Sequence, residues 1–205
     1  MTPLRRNSCR AAPLFLLLLG GGCQNLPEPV PPHWVSIRDV QIDIANREIL
    51  CPGFINMDQG LIELLACGPE GKTHESLLVL SVAPVDLQAA ILLLGLQPGQ
   101  DPTDLGVGQP SGPELDLWVE WSDTSGDQRV RAERLIHHRG LDGPLPQTGW
   151  AFKGSQVIYG AFMADQDQRL IATFWEPWAL LNLPLPCGAD DTLLEVRQER
   201  VPPRG

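Results

Sequence analysis

The sequence contains no C-x-x-C pair, no phosphate-loop glycine pattern and no apolar run of membrane-spanning length. The first absence removes thioredoxin-type redox chemistry and the cysteine run of an iron–sulfur cluster. The second removes phosphate cradling by a Gly-rich loop. The third removes a spanning helix, which needs about 20 consecutive apolar residues. Basic residues are few: 15 Lys and Arg stand against 25 Asp and Glu, a net charge of −10. Nucleic-acid binding needs clustered Lys and Arg, so it is excluded, as is charge-driven docking on anionic lipid. The acidic balance serves solubility. What is present is 43% hydrophobic and 20% charged residues, enough to build a core.

The apolar run that does exist lies near the start. Leu14 to Cys23 reads LFLLLLGGGC, preceded by Arg5, Arg6 and Arg10 and by no acid. A basic segment, a short apolar segment and small residues ending in Cys are the parts of an export signal. Gly22-Cys23 resembles the cleavage point of bacterial lipoproteins, whose mature chain begins at a lipid-modified Cys. That motif usually has Leu three places before the Cys, where this chain has Gly20. Cleavage by the ordinary signal peptidase is the alternative. The residues after Arg5-Arg6 do not support twin-arginine export. Gln24 to His33 holds four prolines and reads as an extended tether. The expected organisation is a signal peptide over 1–22, lipid-anchor Cys and tether over 23–36, and one domain over 37–205. Removing the three signal arginines gives the mature chain 12 − 25, or −13.

The body alternates in the manner of strands. Val40 to Ile44 and Glu48 to Cys51 read as a hairpin turned at Asn46-Arg47. Leu61 to Cys67 is a short apolar strand, and Leu77 to Val82 is apolar on both faces, as in a central strand. A helix follows. Pro84 suits its first turn, Asp86 its positive end, and Gly95 its left-handed cap. It is apolar almost all round, so burial is expected. Glu114 to Trp121, Gln128 to Ala132, Trp150 to Phe152, Gln156 to Met163, Leu170 to Trp175 and Leu193 to Arg197 read as further strands. Ala164 to Gln168 reads as a turn, and Glu133 to Arg139 and Pro177 to Leu183 as short helices. Many strands without βαβ alternation predict an α+β fold. It has a mainly antiparallel β-sheet, one strong buried helix at about 84–95 and short extra helices.

One polar block carries candidate chemistry. Glu63, Cys67, His74, Glu75 and Ser76 flank the Gly-rich turn GPEGKT. If the strands on either side are neighbours, these groups collect at one end of the sheet, near the start of the Pro84 helix. Cys with His nearby can form a nucleophile–base pair, and Cys, His and Glu can bind zinc. The zincin pattern fails, because position 78 is Leu where a second His is required. Glu75 and Ser76 can equally satisfy backbone groups, and Cys67 can be a buried thiol. His137-His138 are adjacent and point to different sides, so joint chelation is not expected. Trp118 and Trp150 are candidates for an aromatic platform or for core packing. Besides Cys9 and Cys23, the cysteines are Cys51, Cys67 and Cys187, which allow one bridge and leave one free thiol.

Leu61 to Leu78, LIELLACGPEGKTHESLL, followed by LQAAILLLGLQPG, resembles the YdjY-type domain of exported proteins in planctomycetes and other bacteria. Its pattern is roughly L-E-x-x-A-C-x-x-G-x-K-x-H-E-S and an Ala/Leu-rich helix ending in G-x-x-P-G. Trp150 to Ser155, WAFKGS, is a further match. The resemblance supplies no activity. It implies that Glu63, Cys67, His74, Glu75 and Ser76 are the binding residues to test. It also marks Cys51 and Cys187 as additions, and so as the expected disulfide pair with Cys67 free. No cofactor and no metal site is expected. The functional reading is a lipid-anchored envelope domain, held to the membrane by its N-terminal lipid. It would bind a small molecule, glycan or protein partner. The alternatives are a hydrolase-like enzyme using Cys67, His74 and Glu75, and a purely structural envelope domain.

Overall fold

The turn between the strands Val40–Asp43 and Glu48–Ile55 shows how local chemistry sets the sheet. Asp43 is buried, and its Oδ1 accepts the amides of Ala45 and Asn46 at 3.1 Å each. Its Oδ2 accepts the Asn46 side-chain amide at 2.8 Å. An Asp that folds the chain back onto itself in this way substitutes for backbone pairing in a tight turn. The computed structural model describes residues 13–17, as backbone, and residues 33–201. The expected lipid site at Cys23, the tether and most of the leader lie outside the described residues.

In chain order the strands begin with β1 (Pro13–Leu17), β2 (Trp34–Ile37), β3 (Val40–Asp43), β4 (Glu48–Ile55), β5 (Leu64–Cys67) and β6 (Ser76–Leu80). Helix α1 (Pro84–Leu93) follows, then β7 (Glu114–Asp123), β8 (Gly126–Arg131), β9 (Ile136–His138), β10 (Gly143–Pro144) and β11 (Trp150–Phe152). The chain continues through β12 (Val157–Ile158), β13 (Ala161–Phe162), α2 (Met163–Asp167), β14 (Arg169–Ala172), β15 (Leu181–Asn182) and β16 (Leu194–Val196). An 11-stranded sheet runs β1-β7-β11-β15-β14-β5-β6-β4-β3-β2, with β8 on β7, and β1 also pairs with β4. The pairing therefore closes on itself through β1. β5–β6 and β14–β15 are parallel, and the other pairs are antiparallel. A mostly antiparallel β architecture with few helices follows. The hairpin return strand runs four residues past its expected end at Cys51. It passes β6 at Gly53, where a Cβ would lie 2.5 Å from the Val79 carbonyl oxygen.

Helix α1 begins at Pro84, after Ala83, which makes no side-chain cap; Asp165 from α2 accepts the Val85 amide at 3.0 Å instead, and Gly95 takes φ +80° just beyond the helix end. It is not buried all round. Leu87, Ala90 and Ile91 join the main core, whereas Val85, Leu92 and Leu93 remain exposed at 44%, 38% and 53%. Ten residues laid on one side of a sheet bury one stripe only. Other expectations change: Ala164–Gln168, expected as a turn, lies mostly in helix α2, and Glu133–Arg139, expected as a short helix, divides into a 3-10 turn (Ala132–Leu135) and β9. Gln156–Met163 is not one strand, because Tyr159 and Gly160 both take positive φ (50° and 82°) and turn β12 back into β13. Pro177–Leu183 is not a helix. Asn182 bonds both backbone groups of Glu176, accepting its N–H at 2.7 Å and donating to its carbonyl at 3.0 Å. That pinches the segment into a loop, and β15 lies between β11 and β14.

All three described thiols are free, so the expected Cys51–Cys187 disulfide is absent. Cys51 is enclosed in the core on β4, where burial pushes its thiol pKa up to about 12. Cys187 sits half-buried on the separate turn Pro186–Ala189, at the rim of that core. Among the described residues no helix is long and apolar enough to cross a membrane.

Candidate functional site

The polar block forms where β5 and β6 begin side by side. The strands are parallel with Leu64 opposite Ser76, so residues 63 and 75 precede their strands at the same end. The Glu63 amide donates to the Glu75 carbonyl at 3.1 Å. The connecting turn is held against the sheet at Gly68, whose amide donates to the Gln168 carbonyl at 2.8 Å. A Cβ at Gly68 would lie 1.9 Å from Gln168 Oε1, so any larger residue there makes the end of the Gln168 side chain swing aside. The side chain of Asn56 donates to the Ser76 carbonyl at 2.8 Å and ties β4 to the same corner.

Lys72 is the centre of the block. Its Nζ donates to Glu63 Oε2 at 3.2 Å and pairs with Glu75 Oε1. The two carboxylates respond oppositely. Burial, then the neighbouring Glu75, raises the Glu63 pKa above its ordinary value. Burial also pushes Glu75 upward, but its hydrogen bonds to Lys72 and Glu63 outweigh that and leave it lowered. Glu75 is the charged partner of the ammonium, and Glu63 is the more readily protonated acid. The cluster is open to water: the side chains of Lys72, Glu63 and Glu75 are 36%, 31% and 16% exposed.

The other candidates lie elsewhere. Ser76 is fully buried, with its hydroxyl donating to the Lys72 carbonyl at 2.7 Å, which fixes the turn. His74 projects into solvent with its side chain 80% exposed and Nε2 3.6 Å from Glu75 Oε1. Cys67 keeps one tie to the block, a hydrogen bond between its thiol and the Ser76 side chain. It lies at the far end of β5, opposite Val79, in an apolar cluster with Leu64, Ala172 and Ala179. Burial raises its thiol pKa. The expected position near the Pro84 helix also changes. Ser76 opens β6 and α1 follows its other end, so the block and the helix start lie at opposite ends of that strand.

This arrangement has a direct consequence for stability. Glu75→Ala should cost about 1–2 kcal/mol by leaving a half-buried ammonium with one carboxylate. His74→Ala should cost less than about 0.5 kcal/mol, because an exposed ring is removed. Urea unfolding of the two variants measures the difference, and equal losses would contradict this geometry.

Three further clusters bear on function. Trp150 is in the core and donates from Nε1 to Glu133 Oε1 at 3.0 Å, so it offers no platform. The Trp118 ring is covered by guanidinium groups, with Arg129 at 4.7 Å and Arg131 at 5.5 Å from its centroid. His137 lies 3.7 Å from Asp142 and 4.0 Å from Glu195. Among the described residues no group of three His, Cys, Asp or Glu is placed to hold a metal ion.

Sequence reasoning missed both lysines of the chain, Lys72 and Lys153. Lys153 Nζ is fully buried and donates to Asp101 Oδ1 at 2.8 Å, the Gly154 carbonyl at 2.9 Å and the Pro177 carbonyl at 2.7 Å. An ammonium has three N–H donors, and all three are used. Burial lowers its pKa, and Asp101 partly restores it. Saturated in this way, Lys153 holds the loop at 101 and the loop at 177 onto β11. The signal for both residues was scarcity: a chain with two lysines places each one against a carboxylate.

Comparison with curated proteins and with solved structures gives no match. A family model, the YdjY domain, matches residues 40–162, which span β3 to β13 and contain the whole Glu63–Lys72–Glu75 block. This chain belongs to the YdjY domain family.

Proposed function

We propose that the chain is an exported, lipid-anchored envelope domain that binds a partner and does not turn over a substrate. The observation that carries the second half is the separation of its would-be catalytic groups. Cys67 is buried among apolar residues with a raised pKa, while the His74 ring stands in solvent. A nucleophile–base pair needs the two within hydrogen-bond reach and a thiolate favoured by its surroundings. The exposed polar feature is instead a fixed ammonium between two carboxylates, suited to holding a ligand by charge and hydrogen bonds. The export half rests on the basic leader, its apolar run and Gly22-Cys23, with the proline-rich segment as tether.

The anchor has its own test. Cys23→Ser should stop fatty-acid labelling and leave the precursor uncleaved. Intact mass and labelling with a palmitate analogue give the result. A wild-type mature chain that begins elsewhere and takes up no fatty acid would end this reading. For binding, Lys72→Met should abolish retention of whatever the wild-type domain captures at the block, while Cys67→Ser should leave it intact.

A further inference from the structure

The strand that closes the sheet is the one export would remove. β1 pairs antiparallel with β4 over Pro13–Leu17 and with β7 over Leu14–Leu17. It lies wholly within the leader that the export reading cuts away at Cys23, and the inference here rests on that reading. β4 and β7 each run antiparallel to β1, so they run parallel to one another, one strand apart, with no pairing between them. Processing leaves two facing edges with free N–H and C=O groups, the condition under which a sheet takes up a strand from another chain.

We infer that the processed domain is a strand acceptor, and that the β4–β7 slot binds an extended segment of a partner protein. The chemistry of that segment is readable from the walls. Ile49 and Cys51 on β4, and Leu117 and Val119 on β7, are buried toward the core. Leu50, Trp118, Glu48 and Asp116 are partly exposed on the other face. In the register that β1 takes, position 14 stands opposite Cys51 and Val119, and position 16 opposite Ile49 and Leu117. Position 17 stands opposite Glu48 and Asp116. An accepted strand needs apolar residues at the two core positions, because strand neighbours share a face. At the position beside Glu48 and Asp116 it needs no cation, because Arg131 already pairs with Asp116 at 2.6 Å and Arg129 acts on Glu48. The partner segment is therefore apolar–any–apolar–neutral, extended, and antiparallel to both walls.

The test uses the processed chain purified from the envelope in detergent and a peptide of residues 10–18 carrying two added lysines before Arg10. Hydrogen exchange is followed at residues 48–51 and 116–119. Without peptide, the slot-facing amides should exchange rapidly. Saturating peptide should slow them at least tenfold, with one peptide bound per chain. A Leu17→Ser peptide should bind about as well as the parent, and a Leu16→Ser peptide should lose at least tenfold in affinity. Slow exchange without peptide would mean that the edges close on each other, and would overturn the inference while leaving the export reading intact. Equal binding of the two serine peptides would overturn it as nonspecific apolar adhesion. An intact mass showing residues 1–22 retained would defeat the export reading itself, and with it the open slot.

Discussion

Glu133→Ala should lower the unfolding free energy by about 3–5 kcal/mol, the range for breaking one side of a buried ion pair. The side chains of Arg131 and Glu133 are 7% and 1% exposed. The guanidinium grips Glu133 through two parallel bonds, Nε to Oε2 at 3.1 Å and Nη2 to Oε1 at 3.0 Å. Trp150 Nε1 adds a third donor to the same carboxylate. Truncation removes the acceptor of three N–H bonds at once and leaves a buried cation with Asp116, at 2.6 Å, as its remaining carboxylate partner. Burial of an unpaired donor costs more than the bond was worth, so the loss exceeds that of an ordinary surface pair. Glu133→Gln keeps an acceptor for Trp150 but not the charge, and should fall between the variant and wild type. Equilibrium urea unfolding measures all three. A loss below about 1 kcal/mol for Glu133→Ala would show that water reaches Arg131.

How much of this was legible in the sequence depended on the range of the interaction. The hairpin of β3 and β4, the strand at Glu114 and the start of α1 are set by alternation, by the Asp43 turn and by Pro84 in the first helical turn, all local in the chain. They lie where the residues put them. The pinch at Asn182 and the Tyr159-Gly160 turn rest on one side chain or on two backbone angles, so period counting passed over them. The site divided in the same way. Glu63 and Glu75 come together because their strands are adjacent, which the apolar runs implied. Cys67 parts from them because parallel pairing carries its end of β5 away from the block. A connection as short as residues 68–75 normally joins antiparallel strands, so the parallel pairing ran against what spacing suggests. The Cys51–Cys187 pairing failed because it rested on the family resemblance, which marked the two thiols as additions, whereas which thiols meet is decided by the sheet order.

Lys153→Met should cost about 2–4 kcal/mol, and the sequence gives little warning of it. The change removes a buried charge, which by itself relieves a desolvation penalty. Three acceptors are left behind: the Asp101 carboxylate, which is 29% exposed, and the carbonyls of Gly154 and Pro177. Water can reach Asp101, so its orphaning is partly compensated. The carbonyls bind the buried Nζ, and their loss sets most of the cost. The companion variant Asp101→Asn keeps an acceptor for the ammonium and should cost less. In the double variant the two effects should fall short of their sum by about 1–3 kcal/mol, because the residues share one bond. The pH dependence carries an independent sign. Burial lowers the folded-state pKa of Lys153 below its ordinary 10.5. Between the two values the unfolded chain binds the extra proton, so Lys153 makes stability rise with pH there. That increment should vanish in Lys153→Met. Unfolding curves taken from neutral pH upward decide the matter: a wild type and variant whose difference stays constant with pH would mean that Lys153 titrates as a solvated lysine does.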